Sequence, residues 1–290
     1  MYSGSIVAIV TPMFPDGRID YDTLEKLVEF HVENKTDAIV AVGTTGESAT
    51  INFDEHRDVV KRMVAFANGR IPIIAGTGGN STEEAIRLTH WAAEDGAEAC
   101  LLVTPYYNRP PQEGLYQHYR LIAETVDIPQ ILYNVPSRCG CDLLPETVER
   151  LCEFDNIVAI KEASTLERVE QLVRRVGDKI AVFSGEDGLA AESVLAGAKG
   201  VISVTANIAP LQMHNMIHAA LEGDREKALA LDKEIAELHH VLFLQANPIP
   251  VKWALQRMGK IQPGIRLPLV PLDKQFHLTV EEALRKVSLI

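Results

Sequence analysis

Eight short apolar runs, separated by amphipathic segments, set the strongest limit on what this chain can become. The runs are Ile6–Val10, Ala38–Val42, Ile71–Ala75, Ala99–Val103, Gln130–Tyr133, Val158–Ile160, Ile180–Phe183 and Gly200–Val204. Each is short enough for a buried strand, and the segments between them read as helices with polar outer faces. Glu83, Glu84, Arg87, Glu94 and Asp95 make one such outer face, with Ala85, Leu88, Ala92 and Ala93 turned inward. Asp22-Thr23-Leu24-Glu25, Asn52-Phe53-Asp54-Glu55, Ser81-Thr82-Glu83-Glu84 and Ser164-Thr165-Leu166-Glu167 each place a cap residue three before a glutamate. The last two read as Ser-capped boxes, and Pro145 suits a first helical turn.

Strands alternating with helices imply a parallel sheet, and eight units in roughly two hundred residues point to a closed (β/α)8 TIM barrel, an α/β fold. An open doubly wound sheet would usually carry a glycine-rich turn after its first strand, whereas this strand ends Val10-Thr11-Pro12-Met13. Beyond Pro210 the pattern is helical, broken at Asn247-Pro248-Ile249-Pro250 and resumed over 251–258. The expected organisation is a barrel domain at 1–224 and a C-terminal helical domain at 225–290.

A hydrophobic content of 47% and a charged content of 23% supply an ample core for a soluble protein. A net charge of −12 argues against nucleic-acid binding. No apolar run approaches a membrane span, and the N-terminus carries no secretory pattern. Cys139-Gly140-Cys141 lacks redox or zinc spacing, so reduced thiols and a cytoplasmic location are expected.

Active sites of such barrels form at the C-terminal strand ends. Here those ends present Gly43-Thr44-Thr45-Gly46-Glu47-Ser48, Gly76-Thr77-Gly78-Gly79-Asn80, Thr104-Pro105-Tyr106-Tyr107-Asn108, Tyr133-Asn134-Val135-Pro136-Ser137-Arg138, Lys161, Ser184-Gly185-Glu186-Asp187 and Ser203-Val204-Thr205. They offer hydroxyls and backbone amides, and Lys161 is the only lysine among them. Burial would lower the pKa of that amine and leave it nucleophilic toward a carbonyl, forming a Schiff base. A lysine that merely snorkels out of a strand end is the competing reading. No strand end supplies histidine and no H-E-x-x-H is present, so no metal is expected and an imine would serve as electron sink. Arg138 suits a carboxylate clamp. Glu47-Ser48 after a glycine turn could bind phosphate through its amides, although no basic residue accompanies it.

Taken in order, the strand ends at 43–48, 106–108, 133–138 and 158–163, together with Asn247-Pro248-Ile249-Pro250-Val251-Lys252, resemble the dihydrodipicolinate synthase family over essentially the whole chain. The resemblance implies condensation of pyruvate with aspartate semialdehyde and no cofactor beyond a pyruvate Schiff base at Lys161. In that pattern Tyr133 carries protons and Thr44 links it to Tyr107, which enters from a neighbouring subunit. Thr45 holds the pyruvate carboxylate, Arg138 binds the semialdehyde carboxylate, and Gly185 and Ile202 line the pocket. The family also implies a homotetramer of two tight dimers. Lysine acts as feedback inhibitor in regulated members, at positions matched here by Ser48, Ala49, His56, Asn80, Glu84 and Tyr106.

Two departures stand out. Phe53 replaces a histidine of some lysine-sensitive relatives, and Cys139 stands where relatives often have threonine, which suggests sensitivity to thiol reagents. N-acetylneuraminate lyase and 2-keto-3-deoxy sugar-acid aldolases share the barrel and the lysine–tyrosine pair and are the near alternatives. A non-catalytic ligand sensor is the alternative outside enzymes.

Overall fold

The computed structural model describes residues 3–290. The eight runs form β1 (Gly4–Ala8), β2 (Ala38–Ala41), β3 (Ile73–Gly76), β4 (Ala99–Val103), β5 (Gln130–Asn134), β6 (Ile157–Glu162), β7 (Ala181–Ser184) and β8 (Gly200–Ser203). Each strand pairs in parallel with the next, and β8 pairs with β1, closing the barrel. Alternate residues separate two apolar layers. Ile6, Val40, Ile74, Leu101, Ile131 and Phe183 fill the barrel, while Val7, Ile39, Ala75, Leu102, Leu132 and Val182 pack outward against helices.

The surrounding helices are α1 (Tyr21–Glu33), α2 (Phe53–Ala67), α3 (Thr82–Glu94), α4 (Gln112–Thr125), α5 (Pro136–Cys139), α6 (Pro145–Leu151), α7 (Leu166–Val176), α8 (Ala190–Leu195) and α9 (Pro210–Leu221). After them come α10 (Arg225–Val241), α11 (Ile249–Arg257) and α12 (His277–Lys286). Two helix starts differ from the sequence expectation. Asp20, not Asp22, caps α1 by accepting from Thr23 N, and Thr165, not Ser164, caps α7 by accepting from Arg168 N. Short polar side chains compete for the same orphan amides, and the one whose backbone stands just outside the helix caps it. Asn52 forms the reciprocal capping box with Glu55, and Ser81 accepts from Glu84 N. Pro145 opens α6.

One irregularity positions the site. The β5–β6 register shifts near its start, so that Gln130 pairs with Ile157 but Ile131 pairs with Ala159. The extra residue, Val158, is a β-bulge. A one-residue slip exchanges the two faces of a strand. Without it Tyr133 would lie opposite Ile160. With it Tyr133 lies opposite Lys161, and both side chains enter the barrel. β6 also continues beyond Ile160, so Lys161 sits within the strand rather than after it.

Candidate active site

Lys161 is 5% exposed at the C-terminal end of the barrel interior. Its ammonium nitrogen lies 4.4 Å from the centroid of the Tyr133 ring. Among the described residues no carboxylate or hydroxyl bonds to it directly. Burial lowers its pKa from 10.5 to about 8, against the pull of the Asp187 and Glu186 charges and with the help of Arg138. The lysine is therefore a partly neutral amine near neutral pH. Gly185 makes room for it: a Cβ there would lie 2.9 Å from Lys161 Cε and 2.7 Å from Ala163 Cβ.

A cavity of about 230 Å³ opens above this amine, lined by Gly43, Thr44, Thr45, Tyr133, Arg138 and Asn247 among others. Burial pushes the Tyr133 phenol up to about 12, while the Arg138 charge and a hydrogen bond from Thr44 pull it down. Arg138 rises from the short helix α5 and its guanidinium reaches the Asn247 carbonyl at 3.4 Å. Ile202 is wholly buried inside the barrel and does not line the cavity, where Val204 stands instead. Tyr107, with φ 72°, is 91% exposed and is not among the residues that line this cavity.

The loop after β2 is held in an uncommon shape. Val42 and Glu47 both take left-handed backbone, with φ 51° and 61°. Glu47 turns its carboxylate inward, where it pairs with buried Lys252 of α11 and accepts from Arg266 N at 3.1 Å. Lys252 also donates to Thr11 O at 3.0 Å. Asn247 Nδ2 donates to Thr45 Oγ1 at 3.0 Å, and its buried Oδ1 has no partner. The C-terminal helices thus fasten the loop that carries Thr44 and Thr45. The Glu47 and Ser48 amides donate to Thr44 O and Gly43 O within the turn, which gives no support to phosphate binding there.

Sequence reasoning missed Lys252 and Asn247 as parts of the site, although the 247–252 stretch was visible. It also missed Glu162, whose carboxyl is buried on the outer face of β6, bonded to Asn134, and pushed up to about 7 by that burial. Cys139, expected to be sensitive to thiol reagents, lines a second, larger cavity beside Arg138. Its thiol is 3% exposed, and burial raises its pKa, which suppresses the reactive thiolate.

Ser48, Ala49, His56, Glu84 and Tyr106 line one larger cavity of about 670 Å³, which Phe53 also borders. It reaches Thr44 and Arg138 at its inner side. His56 Nε2 is bonded to Gly76 O at 2.7 Å, so that ring faces the backbone with one nitrogen. Asn80 is not among the lining residues but follows Gly79, which is, and the Asn80 carbonyl accepts from Asn108 Nδ2 at 2.8 Å. Among the described residues no helix is long and apolar enough to cross a membrane.

The model of the dihydrodipicolinate synthetase family matches residues 1–287. A relative from Alkalilimnicola ehrlichii called 4-hydroxy-tetrahydrodipicolinate synthase is 62% identical over 98% of both chains. The dihydrodipicolinate synthase of Acinetobacter baumannii, solved with pyruvate, superposes with a TM-score of 0.99 at 55% identity over 100% of each chain. That of Cyanidioschyzon merolae, solved with lysine bound, gives 0.96 at 37% identity over 100% of this chain and 99% of its own. With the same barrel, a family match over 1–287 and full-length identity of this order, the chain belongs to the dihydrodipicolinate synthetase family.

Proposed function

We propose that the cavity above Lys161 condenses pyruvate with L-aspartate 4-semialdehyde through a Schiff base on the Lys161 amine. The observation that carries this is the depressed, unpaired amine facing the Tyr133 ring inside a cavity of hydroxyls. The product, 4-hydroxy-tetrahydrodipicolinate, opens lysine and diaminopimelate synthesis. Full-length identities of 55–62% to synthases of that name favour this lyase activity over sugar-acid aldol cleavage.

In this reading the amine adds to the pyruvate ketone and water leaves, giving a protonated imine. The imine takes up the electron pair when a methyl proton departs, so no external cofactor is required. The resulting enamine attacks the semialdehyde aldehyde, and cyclisation through the substrate's own amine releases Lys161. Tyr133 moves the protons. Its phenol is too weak an acid to act alone, and Thr44 with Tyr107 of a neighbouring subunit completes the relay. Thr45 accepts from Asn247, which leaves its own O–H proton free to donate to the pyruvate carboxylate. Arg138 clamps the carboxylate of the semialdehyde, and Gly185 frames the pocket with backbone.

The exposure of Tyr107 supports an assembly in which it is covered by a second copy, a homotetramer of two tight dimers. The 670 Å³ cavity is the proposed lysine site, with Glu84 facing the ligand amine, Ser48, Ala49, His56 and Tyr106 around it, and Asn80 next to the lining residue Gly79. Residues 1–224 would form the catalytic barrel and 225–290 a helical domain that braces it through Asn247 and Lys252.

Borohydride reduction in the presence of pyruvate, followed by peptide mass analysis, tests the core of this reading. One pyruvate adduct per chain on the Lys161 peptide is expected. A folded sample that gives no adduct overturns it. Turnover of the semialdehyde, absent with polyhydroxylated keto acids, tests the second substrate.

A further inference from the structure

At the opposite mouth of the barrel from Lys161, Asp37 immediately precedes β2 and faces α9. His214 and His218 stand four residues apart on α9, so their rings leave one face of the helix. His218 Nε2 lies 3.1 Å from both carboxylate oxygens of Asp37, and His214 Nδ1 lies 3.4 Å from Oδ2. The two rings sit 4.0 Å apart, centroid to centroid. His214 Nδ1 is shielded from solvent and has no hydrogen-bond partner. Sequence reading found no metal cluster because it searched the strand ends of the other mouth, and His-x-x-x-His acquires its third donor only through the fold.

Ion pairing alone accounts poorly for this arrangement. Two imidazolium rings in contact repel each other, and one carboxylate cannot neutralise both. A neutral His214 leaves its shielded Nδ1 3.4 Å from a carboxylate oxygen with no hydrogen bond made. A divalent cation among the three groups would use all three as ligands. We propose that Asp37, His214 and His218 hold a divalent transition-metal ion of the zinc type, with water as fourth ligand.

The donor set, two imidazoles and a carboxylate, is that of zinc, cobalt and their neighbours rather than magnesium or calcium. Metal–ligand distances near 2.0–2.1 Å in a tetrahedron place neighbouring donor atoms about 3.3 Å apart. Two edges, at 3.1 and 3.4 Å, already have that length, and all three donors lie within 4.8 Å of one another.

The carboxylate is also held in place. Ser5 N donates to Asp37 Oδ2 at 2.7 Å. Gly4, at φ 102°, has no side chain to obstruct it: a Cβ there would lie 2.3 Å from that same oxygen. Such fixation of a ligand by an outer donor is what metal sites use. His218 is 38% exposed, which gives an ion its route in. Bound there, the ion would staple α9 to the β1 and β2 ends beside the β8–β1 seam. Lys35 is the nearby cation that competes with it.

Cobalt titration of the chelator-treated full-length protein tests the site. The expected result is a visible d–d band that saturates at one equivalent per chain and is displaced by zinc. At zinc about 100-fold above its dissociation constant, Tm should rise by about 5 °C. His218→Gln should lose both the band and the zinc-dependent rise while keeping pyruvate trapping at Lys161, which certifies its fold. Asp37→Asn, which retains an acceptor for Ser5, should weaken both. A wild-type protein with no saturable band, or a band that persists in both variants, overturns the proposal.

Discussion

Replacing the proposed catalytic lysine should make the protein more stable. Lys161 is buried with no carboxylate bonded to it, and its pKa is depressed from 10.5 to about 8. In the unfolded chain the amine keeps its ordinary affinity for a proton. Between these two values the unfolded state binds more protons than the folded one, so stability rises with pH across that window. Below pH 8 the folded state carries the whole cost, about 3 kcal/mol at roughly 1.4 kcal/mol per tenfold change in proton affinity. The attraction of Asp187 and Glu186 is already contained in that net figure. Lys161→Met removes the cost while filling nearly the same volume. Denaturant unfolding at fixed chain concentration should therefore show the variant about 2–3 kcal/mol more stable at pH 7. The gap should narrow from pH 8 and be nearly gone above pH 10.5. A variant that is less stable than wild type, or a gap that does not change with pH, would refute the assigned cost of burying this amine.

Other substitutions separate binding from proton transfer and test the brace behind the site. Tyr133→Phe should still form the borohydride-trappable adduct but lose about two to four orders of magnitude in kcat, the range of general acid–base catalysis; unchanged turnover would remove Tyr133 from the proton path. Glu47→Gln or Lys252→Met alone strands a buried charge and should cost about 3–5 kcal/mol in denaturant unfolding, whereas the double variant should recover much of it. Additive losses would mean that the two side chains do not act as a pair. L-lysine at millimolar concentration should slow the initial rate, and Glu84→Gln should weaken that inhibition about tenfold or more by removing the partner of the ligand amine, without altering pyruvate trapping. Equal inhibition of both proteins would place lysine elsewhere.

What the sequence displayed clearly is what repeats locally. Apolar runs such as Ala38–Val42 and Ala99–Val103 are short and continuous, and capped helices separate them, so the barrel could be read unit by unit. Lys161 stood out for a similar local reason, being a charge at the end of an apolar run. The features that escaped depend on residues far apart in sequence. The bulge at Val158 is invisible without β5 beside it, yet it decides that Lys161 and Tyr133 face each other. Glu47 reads as a loop carboxylate until α11 brings Lys252 against it, 205 residues later. Cys139 looked reactive because it follows Arg138, but the turn of α5 sends adjacent side chains in different directions, one exposed and one buried.

The two buried lysines show how one residue type serves opposite ends. Lys252 is placed against a carboxylate and a backbone carbonyl: burial lowers its pKa, the Glu47 carboxylate opposes that shift, and its contacts fix the loop that carries Thr44 and Thr45. Lys161 is placed against an aromatic face, with its nearest carboxylates acting from a distance rather than by contact. A direct ion pair at Lys161 would have stabilised the fold and raised the pKa, leaving too little free amine for imine formation. Moving the carboxylates much further away would depress the pKa further and weaken the amine as a nucleophile. The intermediate arrangement keeps an appreciable neutral fraction near pH 7 while retaining a basic nitrogen. The stability lost at Lys161 is thus part of its reactivity, and the paired Lys252 helps to hold the surrounding loop against that loss.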